Sequence, residues 1–194
     1  MTTFVKMDKE GIRKTILHKR DLLVKLEIRK KSVKIQQNVI RTPAFLDANI
    51  VGIYSHIGSE VETNLIMEDV LRSNKKLAYP RIVGDSINFF AIEKNDFGKM
   101  KFEKNRFNIV EPSYDGKNMI DFFDLLIVPG IVFDLRGYRI GYGHGYYDKY
   151  LSRKNYSKSM GLGYELQVID FTIPIMPHDQ KLDMIITENR IIYC

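Results

Sequence analysis

The 194-residue sequence has little cysteine and no long apolar run. Its single cysteine, Cys194, cannot form an intrachain disulfide, which fits a reducing compartment. The longest apolar runs fall far short of the ~18–20 residues that cross a bilayer. Near the start, Lys6, Asp8, Lys9 and Glu10 interrupt any apolar stretch of the kind that a secretory signal needs. These absences predict no membrane-spanning segment, no secretory signal and no disulfide scaffold, and they fit a cytoplasmic protein.

The composition is that of an ordinary globular chain. Hydrophobic residues make up 44% and charged residues 28% of the sequence, proportions that exclude long disorder and a collagenous repeat. The length fits one domain of ordinary size. Lys and Arg number 30 against 24 Asp and Glu, and the resulting formal charge of +6 favours an anionic partner. Nucleotides, polyanionic substrates, RNA and acidic membranes all fit that charge.

A basic segment of about residues 1–46 predicts helices. Apolar residues recur along it with a period of 3.6, at Ile12, Ile16, Leu23 and Leu26. The basic side chains away from this face are interpreted as solvated, with nucleic acid as the alternative contact: Lys14, Lys19, Arg20 and Lys25. A second helical stretch is predicted from Val33 to Leu46, where Pro43 interrupts or ends it.

A strand–helix–strand unit follows the basic segment. The first strand is predicted over Asn49–Tyr54 and the second over Lys76–Pro80. Between them a capping box at Ser59 predicts the start of a helix that runs to about Ser73, with Thr63 as an alternative cap. Such a unit favours parallel pairing of its two strands through a right-handed crossover.

The strand pattern of the remaining sequence predicts the fold class. Phe122–Val128 has almost no polar alternation, which is typical of a strand covered on both faces. Other strands are predicted at Ile87–Ile92, Ser159–Leu162 and Leu182–Thr187. With no repeat or linker visible, we predict a single α/β domain over residues 1–194, a three-layer α/β/α sandwich with a mostly parallel sheet, on which the basic helical segment packs.

A glycine-rich loop follows the buried strand. It should lie at the carboxyl edge of the sheet, where open α/β folds bind ligands. Gly141, Gly143 and Gly145 alternate in it, and glycine both adopts positive φ and lets backbone N–H groups approach an anion. A helix that begins near Tyr146 would add its positive end. The spacing matches neither a dinucleotide-binding fingerprint nor a Walker A loop.

The residues among these glycines suggest the chemistry of the loop. Arg139 is suited to a phosphate group, and Asp148 to Mg²⁺. The aromatic rings of Tyr146 and Tyr147 could stack on a ligand ring. Aromatic residues interleaved with Lys and Arg also suit single-stranded nucleic acid, so a salt-sensitive RNA-binding module that consumes no ATP is a second hypothesis.

The loop and its surroundings resemble a known family. Residues 129–148 read Pro-Gly-x-x-Phe-Asp-x-x-Gly-x-Arg-x-Gly-x-Gly-x-Gly-Tyr-Tyr-Asp, which closely resembles the signature of the 5-formyltetrahydrofolate cyclo-ligase family. Shorter matches occur in the family's order at Lys9-x-x-x-Arg13, Glu60–Thr63, Tyr79–Arg81, Glu111-Pro112, Pro177–Asp179 and Leu182-Asp183. The resemblance therefore covers most of the chain.

The resemblance implies a fold and a reaction. The fold would be that of the ribose-5-phosphate isomerase and CoA-transferase group. The reaction would be ATP-dependent cyclisation of 5-formyltetrahydrofolate to 5,10-methenyltetrahydrofolate, with ADP and phosphate released and Mg²⁺ present. It implies small-molecule partners in cytoplasmic one-carbon metabolism, no nucleic-acid or membrane partner, and a monomer or at most a weak homodimer. A different ATP- or phosphosugar-handling enzyme on the same fold is the third hypothesis.

The resemblance also implies roles for individual residues. Arg139 and Tyr146 would be catalytic, and Asp148 and Asp183 would hold Mg²⁺. ATP would contact Lys9, Arg13, Arg139, Ile140, Gly141, Tyr142, Gly143, His144, Gly145, Tyr146 and Tyr147. The folate would contact Ser55, Glu60, Tyr142, Gly143, His144, Gly145 and Tyr146.

Two positions depart from the family pattern. His144 stands where relatives commonly have lysine or glycine, so a phosphate contact there would depend on pH. Lys149 stands where arginine is usual, and lysine lacks the bidentate fork of arginine. The remaining histidines show no metal-ligand spacing and are interpreted as surface or loop residues: His18, His56 and His178.

Overall fold

Five helices and thirteen short strands lie in the part of the chain that the computed structural model describes, which is residues 8–92, 102–104, 110–112 and 118–194. The helices are α1 (Lys9–Asp21), α2 (Lys25–Ile40), α3 (Pro43–Leu46), α4 (Asn64–Arg72) and α5 (Tyr146–Leu151), with a 3₁₀ turn at Glu165–Gln167. The first seven strands are β1 (Ile50–Gly52), β2 (Lys76–Val83), β3 (Ser86–Ile92), β4 (Phe102–Lys104), β5 (Val110–Pro112), β6 (Met119–Ile120) and β7 (Phe123–Pro129). The others are β8 (Val132–Asp134), β9 (Arg139–Ile140), β10 (Tyr156–Leu162), β11 (Val168–Ile169), β12 (Met184–Ile186) and β13 (Ile191–Tyr193). No helix among the described residues is both long and apolar enough to span a membrane.

An eight-stranded sheet has the order β13-β12-β10-β7-β1-β2-β3-β6. Its five middle strands, from β12 to β2, are parallel, and the pairings outside them, β13 with β12, β3 with β2 and β6 with β3, are antiparallel. Val51 of β1 lies opposite Leu77 of β2 on one side and Leu125 of β7 on the other. The predicted parallel pairing across the strand–helix–strand unit is confirmed, as is an α/β fold with a mostly parallel sheet.

The central strand β7 is covered on both faces, as its sequence predicts. Successive side chains of a strand point to opposite faces. Leu125 and Ile127 belong to the cluster covered by α2, α3 and α4. Leu126 and Val128 belong to a second cluster, which includes Leu151 of α5. The continuous apolar run in β7 therefore results from two separate packing surfaces.

Helix α1 packs at the edge of this arrangement rather than on the large sheet. Ile12 and Ile16 join a third cluster with Ile131, Val132 and Ile140. The last three belong to the loop and hairpin formed by β8 and β9, which pair antiparallel beside β11. This packing fixes α1 against the stem of the glycine-rich loop.

The boundary between the first two helices was predicted wrongly. The second helix begins at Lys25 rather than Val33, and α1 already ends at Asp21. Val24, between them, is extended with φ −75° and ψ 152°, so the helical period does not continue from one helix into the next. Leu26, predicted on the apolar face, is consequently 62% exposed.

Helix α4 begins after Thr63, the alternative cap, and not after Ser59. The chain turns at residues 57–60, where the Glu60 N–H donates to the carbonyl of Ile57. Glu60 therefore lies outside the helix, in the turn before it. The next strand, β2, passes through Pro80 and pairs with β3 as far as Val83, so the predicted end at the proline was also wrong.

Replacing Phe123 by alanine should lower the free energy of unfolding by about 3–5 kcal/mol. The Phe123 side chain is fully buried, and its ring centroid lies 5.0 Å from that of Phe89 and 6.0 Å from that of Tyr150. Phe122→Ala is the matched control, because the Phe122 side chain is 50% exposed and should change the free energy by less than about 1 kcal/mol. Urea unfolding followed by circular dichroism measures both, and equal losses would contradict the packing of β7.

Candidate active site

A cavity of about 450 Å³ lies where parallel strands of the large sheet end. Tyr54 and Ser55, just beyond β1, line it, as do Pro80 of β2 and Pro129 and Gly130 at the end of β7. This is the carboxyl edge predicted for the glycine-rich loop, and residues 139–148 of that loop all line the same cavity. The structure thus brings a sheet edge and the loop into one site.

The loop depends on glycine at two positions. Gly143 has φ +101° and Gly145 has φ +69°, a region in which other residues are strained. Gly145 is the N-cap of α5, which begins at Tyr146 as predicted. Because α5 has only six residues, we attribute anion binding in this loop to backbone N–H groups and cationic side chains rather than to a helix dipole.

Arg139 is buried at the start of this loop. Its Nη1 donates to Oδ1 of Asp148 at 2.8 Å, while its buried Nε has no hydrogen-bond partner among the described residues. A buried donor without an acceptor destabilises a protein, by about 1–3 kcal/mol for a neutral group and more for a charged one. Because the Arg139 side chain lines the cavity, this N–H would donate to a ligand oxygen that reached it.

Helix α1 carries the other two predicted phosphate-binding cations into the same cavity. Lys9 and Arg13 are four residues apart and so share one face of α1. Arg13 Nε donates to the carbonyl of Gly141 at 2.8 Å, which ties the helix to the loop. Lys9 forms an ion pair with Asp179.

The Lys9 ion pair stabilises the charged form of Asp179. Burial alone would raise the pKa of the Asp179 carboxyl, but hydrogen bonds from Lys9 and the Met176 N–H, together with the Lys9 charge, lower it overall. Asp179 was not predicted as a site residue, although it lies in the matched segment Pro177–Asp179. The lysine available for a phosphate group thus already has an anionic partner.

The described residues that line the cavity do not carry an excess of positive charge. Three cations among its described lining residues stand against four carboxyl groups: Lys9, Arg13 and Arg139 against Glu60, Glu111, Asp148 and Asp179. A polyphosphate ligand entering this cavity would need a further cation, and a divalent metal ion supplies one compactly.

Glu60 is a buried carboxyl group in the cavity lining. It is 4% exposed, and its Oε2 accepts the Ile57 N–H at 2.9 Å. Burial raises the pKa of Glu60 to about 7; the Ile57 N–H, the Arg20 guanidinium and the Tyr142 hydroxyl each act against that rise. A carboxyl group that ionises near neutral pH in a cavity wall is typical of a functional residue.

Aromatic side chains surround this carboxyl group. Burial first, and then the charge of Glu60, raise the pKa values of Tyr54 and Tyr147. Ser55 lines the cavity, and its hydroxyl interacts with that of Tyr79. The surroundings of Glu60 therefore combine aromatic rings with one carboxylate, which suits a flat heterocycle bearing N–H donors.

The two predicted metal ligands occupy different surroundings. Asp148 lines the cavity, and its Oδ1 also accepts the Gln180 N–H at 3.2 Å. Asp183 is absent from the cavity lining; its Oδ2 accepts the N–H and the hydroxyl of Ser159 at 2.8 and 2.6 Å, next to the pairing of β10 with β12. In the described part of the chain no group of three or more histidine, cysteine or acidic residues is arranged to hold a metal ion.

Two buried residues of the site were not predicted. Glu111 lines the cavity and accepts the Ile82 N–H at 2.9 Å, and its only signal was the matched Glu111-Pro112 pair. Arg20 was interpreted as a solvated side chain but is 1% exposed. Its burial follows from contacts with distant loops, which the helical period of α1 does not encode.

Fold and cavity together have the arrangement of an α/β enzyme with its active site at the carboxyl edge of the sheet. A family model for the 5-formyltetrahydrofolate cyclo-ligase family matches residues 5–188. The chain belongs to this family, and the resemblance found in its sequence is confirmed.

Individual relatives agree with the family match. The 5-formyltetrahydrofolate cyclo-ligase of Mycoplasma pneumoniae is 32% identical over 190 residues, which cover 94% of this chain and 100% of the relative. The mouse (Mus musculus) 5-formyltetrahydrofolate cyclo-ligase is 28% identical and covers 93% and 94%. The solved structure of a 5,10-methenyltetrahydrofolate synthetase from Aquifex aeolicus superposes with a TM-score of 0.81 at 31% identity, over 96% of this chain and 93% of that one.

Glu60→Gln should make the protein more stable at pH 8 but not at pH 4. The folded pKa of about 7 lies above the ordinary value of 4.5, so the folded chain holds a proton that the unfolded chain has lost between these values. The free energy of unfolding therefore falls by about 2–3 kcal/mol as pH rises through this window, and the Glu60→Gln substitution removes this fall. Urea unfolding at both pH values measures it. Glu62→Gln controls for loss of one carboxylate nearby, and a Glu60→Gln gain independent of pH would refute the explanation.

Proposed function

We propose that the chain catalyses the ATP-dependent cyclisation of 5-formyltetrahydrofolate to 5,10-methenyltetrahydrofolate, with release of ADP and phosphate. The observation that carries this proposal is one cavity lined by two unlike groups of residues. Lys9, Arg13 and Arg139 suit a polyphosphate, while Glu60, with the rings of Tyr54, Tyr142 and Tyr147 near it, suits a pterin. Membership of the family supports the same reaction.

The reaction needs activation of a poor electrophile. The γ-phosphoryl group moves from ATP to the formyl oxygen: the bond to the bridging oxygen of ADP breaks and a new P–O bond forms. Nitrogen 10 of the same folate then attacks the formyl carbon, forming a C–N bond and losing its proton. Departure of phosphate with the former formyl oxygen leaves the cyclic amidinium. Because the nucleophile is part of the substrate, the protein mainly positions groups and neutralises charge.

The cationic residues and the residues around Glu60 would contribute distinct parts of this chemistry. Arg139 would donate its free Nε–H to an oxygen of the moving phosphoryl group, where negative charge is shared between donor and acceptor. Tyr146, which follows the last loop glycine and lines the cavity, would face both substrates. Glu60 would accept the N–H groups of the pterin ring, with Ser55 beside it.

The rest of the glycine-rich loop would hold the phosphates. Its backbone N–H groups between Ile140 and Tyr147, together with Lys9 and Arg13, would surround ATP. Tyr142, Gly143, His144 and Gly145 lie where both substrates would meet, and His144 is 5.8 Å from Tyr146 between ring centroids. A pH-dependent phosphate contact at His144 stays a prediction.

Magnesium fits the cavity through Asp148. Mg²⁺ is usually held by one or two carboxylates together with substrate phosphates, so a site formed by the protein alone is not required. When bound, the ion would neutralise phosphate charge in a cavity where carboxyl groups outnumber side-chain cations. Asp148 would hold the ion. The predicted role of Asp183 as a second ligand receives less support, because Asp183 lies outside the cavity lining and accepts hydrogen bonds from Ser159.

The wider setting is proposed on the same basis. We assign the chain to a single domain over residues 1–194, a three-layer α/β/α sandwich of the ribose-5-phosphate isomerase and CoA-transferase group. We infer a cytoplasmic enzyme of folate one-carbon metabolism, a monomer or at most a weak homodimer, which binds small molecules rather than nucleic acid. The RNA-binding hypothesis would instead require salt-sensitive RNA binding and no ATP consumption.

Arg139→Ala should abolish turnover, by at least about 100-fold, because it removes the buried donor to the phosphoryl group. The assay mixes the protein with MgATP and 5-formyltetrahydrofolate, and follows the ultraviolet absorbance of the methenyl product together with ADP release. Arg136→Ala is the matched control: Arg136 is three residues away, pairs with Asp134 and does not line the cavity. No product from folded wild-type protein would refute the proposed function, and a fully active Arg139→Ala variant would refute this role.

Asp148→Asn should raise the Mg²⁺ concentration needed for ATP binding by about tenfold, measured by calorimetry at several Mg²⁺ concentrations without folate. Asp183→Asn, compared in the same experiment, distinguishes a ligand from a residue that binds β10. A shift for both variants would support the predicted pair of ligands. A normal Mg²⁺ dependence of Asp148→Asn would exclude Asp148 as the ligand.

A further inference from the structure

We propose that Arg20 is a positioning residue, which holds the Tyr142 hydroxyl and so favours an ionised and oriented Glu60 carboxylate for the folate ring. This inference rests on the proposed function. It gives a role to the most deeply buried cation among the described residues, which the reaction as described does not use.

The Arg20 guanidinium lies in a seam between α1, the turn before α4 and the glycine-rich loop. Its Nη2 donates to the Tyr142 hydroxyl oxygen at 2.7 Å, and its Nε to Oγ of Ser59 at 3.0 Å. Its Nη1 donates to the carbonyl of Gly130 at 3.4 Å, where β7 has just ended. One side chain therefore fixes three chain segments that meet at the cavity.

All three acceptors of Arg20 are neutral. A buried cation without a carboxylate in direct contact is unfavourable, because its loss of hydration is not offset by an ion pair. Its charge acts at a distance instead, on Glu60, whose pKa it lowers. We infer that this electrostatic effect on Glu60 is the reason why the buried charge is retained.

Tyr142 connects the two charged groups. Its hydroxyl oxygen accepts from Arg20, and its own interaction with Glu60 also lowers the pKa of that carboxyl group. The other influences on Glu60 are burial, which raises its pKa, and the Ile57 N–H, which lowers it. Tyr54 and Tyr147 also face it but are neutral in this pH range, since their pKa values are raised. Arg20 is thus the cation that acts on Glu60 within the described residues.

This arrangement makes α1 a connection between the proposed phosphate-binding residues and Glu60. Lys9 and Arg13, in its first two turns, line the cavity, and Arg20, in its last turn, holds Tyr142 of the same lining. The carboxylate form of Glu60 is the one that accepts N–H donors. Stabilising that form near neutral pH would strengthen folate binding without touching the folate.

The test is the pH dependence of kcat/KM for 5-formyltetrahydrofolate. In the wild type kcat/KM should rise as Glu60 ionises; in Arg20→Met the rise should move about one pH unit higher, with about fivefold lower kcat/KM at pH 7. Arg20→Lys should recover part of the shift, because it keeps the charge but not the fork. Tyr142→Phe should move the rise in the same direction by a smaller amount, while KM for ATP stays within about twofold in the two Arg20 variants.

Lys19→Met is the matched control, since it removes an exposed cation from the neighbouring position of α1. Arg20→Met with an unmoved pH profile, even if its turnover or stability is lower at every pH, would overturn the proposal, because a merely structural role predicts that result.

A second measurement does not depend on turnover. Arg20→Met should enlarge the loss of unfolding free energy between pH 4 and pH 8, and Glu60→Gln in the same chain should abolish the enlargement. An enlargement that persists with Glu60→Gln would refute the coupling. If the wild type makes no methenyl product while this coupling is found, the proposed reaction fails and the action of Arg20 on Glu60 stands.

Discussion

The site depends on one constraint, which is that ionisable side chains are buried away from water at one edge of the sheet. Arg20, Glu60 and Arg139 are each at least nine-tenths buried, at 1%, 4% and 6% exposed. A buried ionisable group must find partners or change its charge. Arg139 pairs with Asp148, Arg20 distributes its donors over three neutral acceptors, and Glu60 titrates near pH 7. The geometry of the cavity follows from the way in which these three buried groups are accommodated.

The burial of these ionisable groups also links the stability of the fold to function. A carboxyl group with a raised pKa makes the fold less stable at the pH at which its charge is useful. Residues that act on ligands are commonly retained despite such a penalty. The Nε of Arg139, which has no partner among the described residues, is a second instance, because a ligand oxygen that accepted its N–H would remove the penalty. Ligand binding at this site should therefore stabilise the fold.

Local patterns predicted the parts of the structure that local interactions determine. The buried strand β7, the start of α5 at Tyr146 and the glycine-rich loop each depend on a few neighbouring residues, and all three were predicted. The burial of Arg20 and the position of Asp183 depend on contacts with segments far along the chain, which periodicity does not encode. Val24 shows the same limit, since one extended residue divided a helical pattern that looked continuous.

The net charge of +6 does not arise at the cavity. Helices α1 and α2 carry ten Lys and Arg against three Asp and Glu, a net charge of +7 that exceeds that of the whole chain. In the cavity, by contrast, each of Lys9, Arg13 and Arg139 already pairs with a carboxylate. A triphosphate must therefore compete with these carboxylates or bring its own cation. Binding of ATP as its magnesium complex resolves that competition, and the basic helices then attract anions toward the site rather than hold them in it.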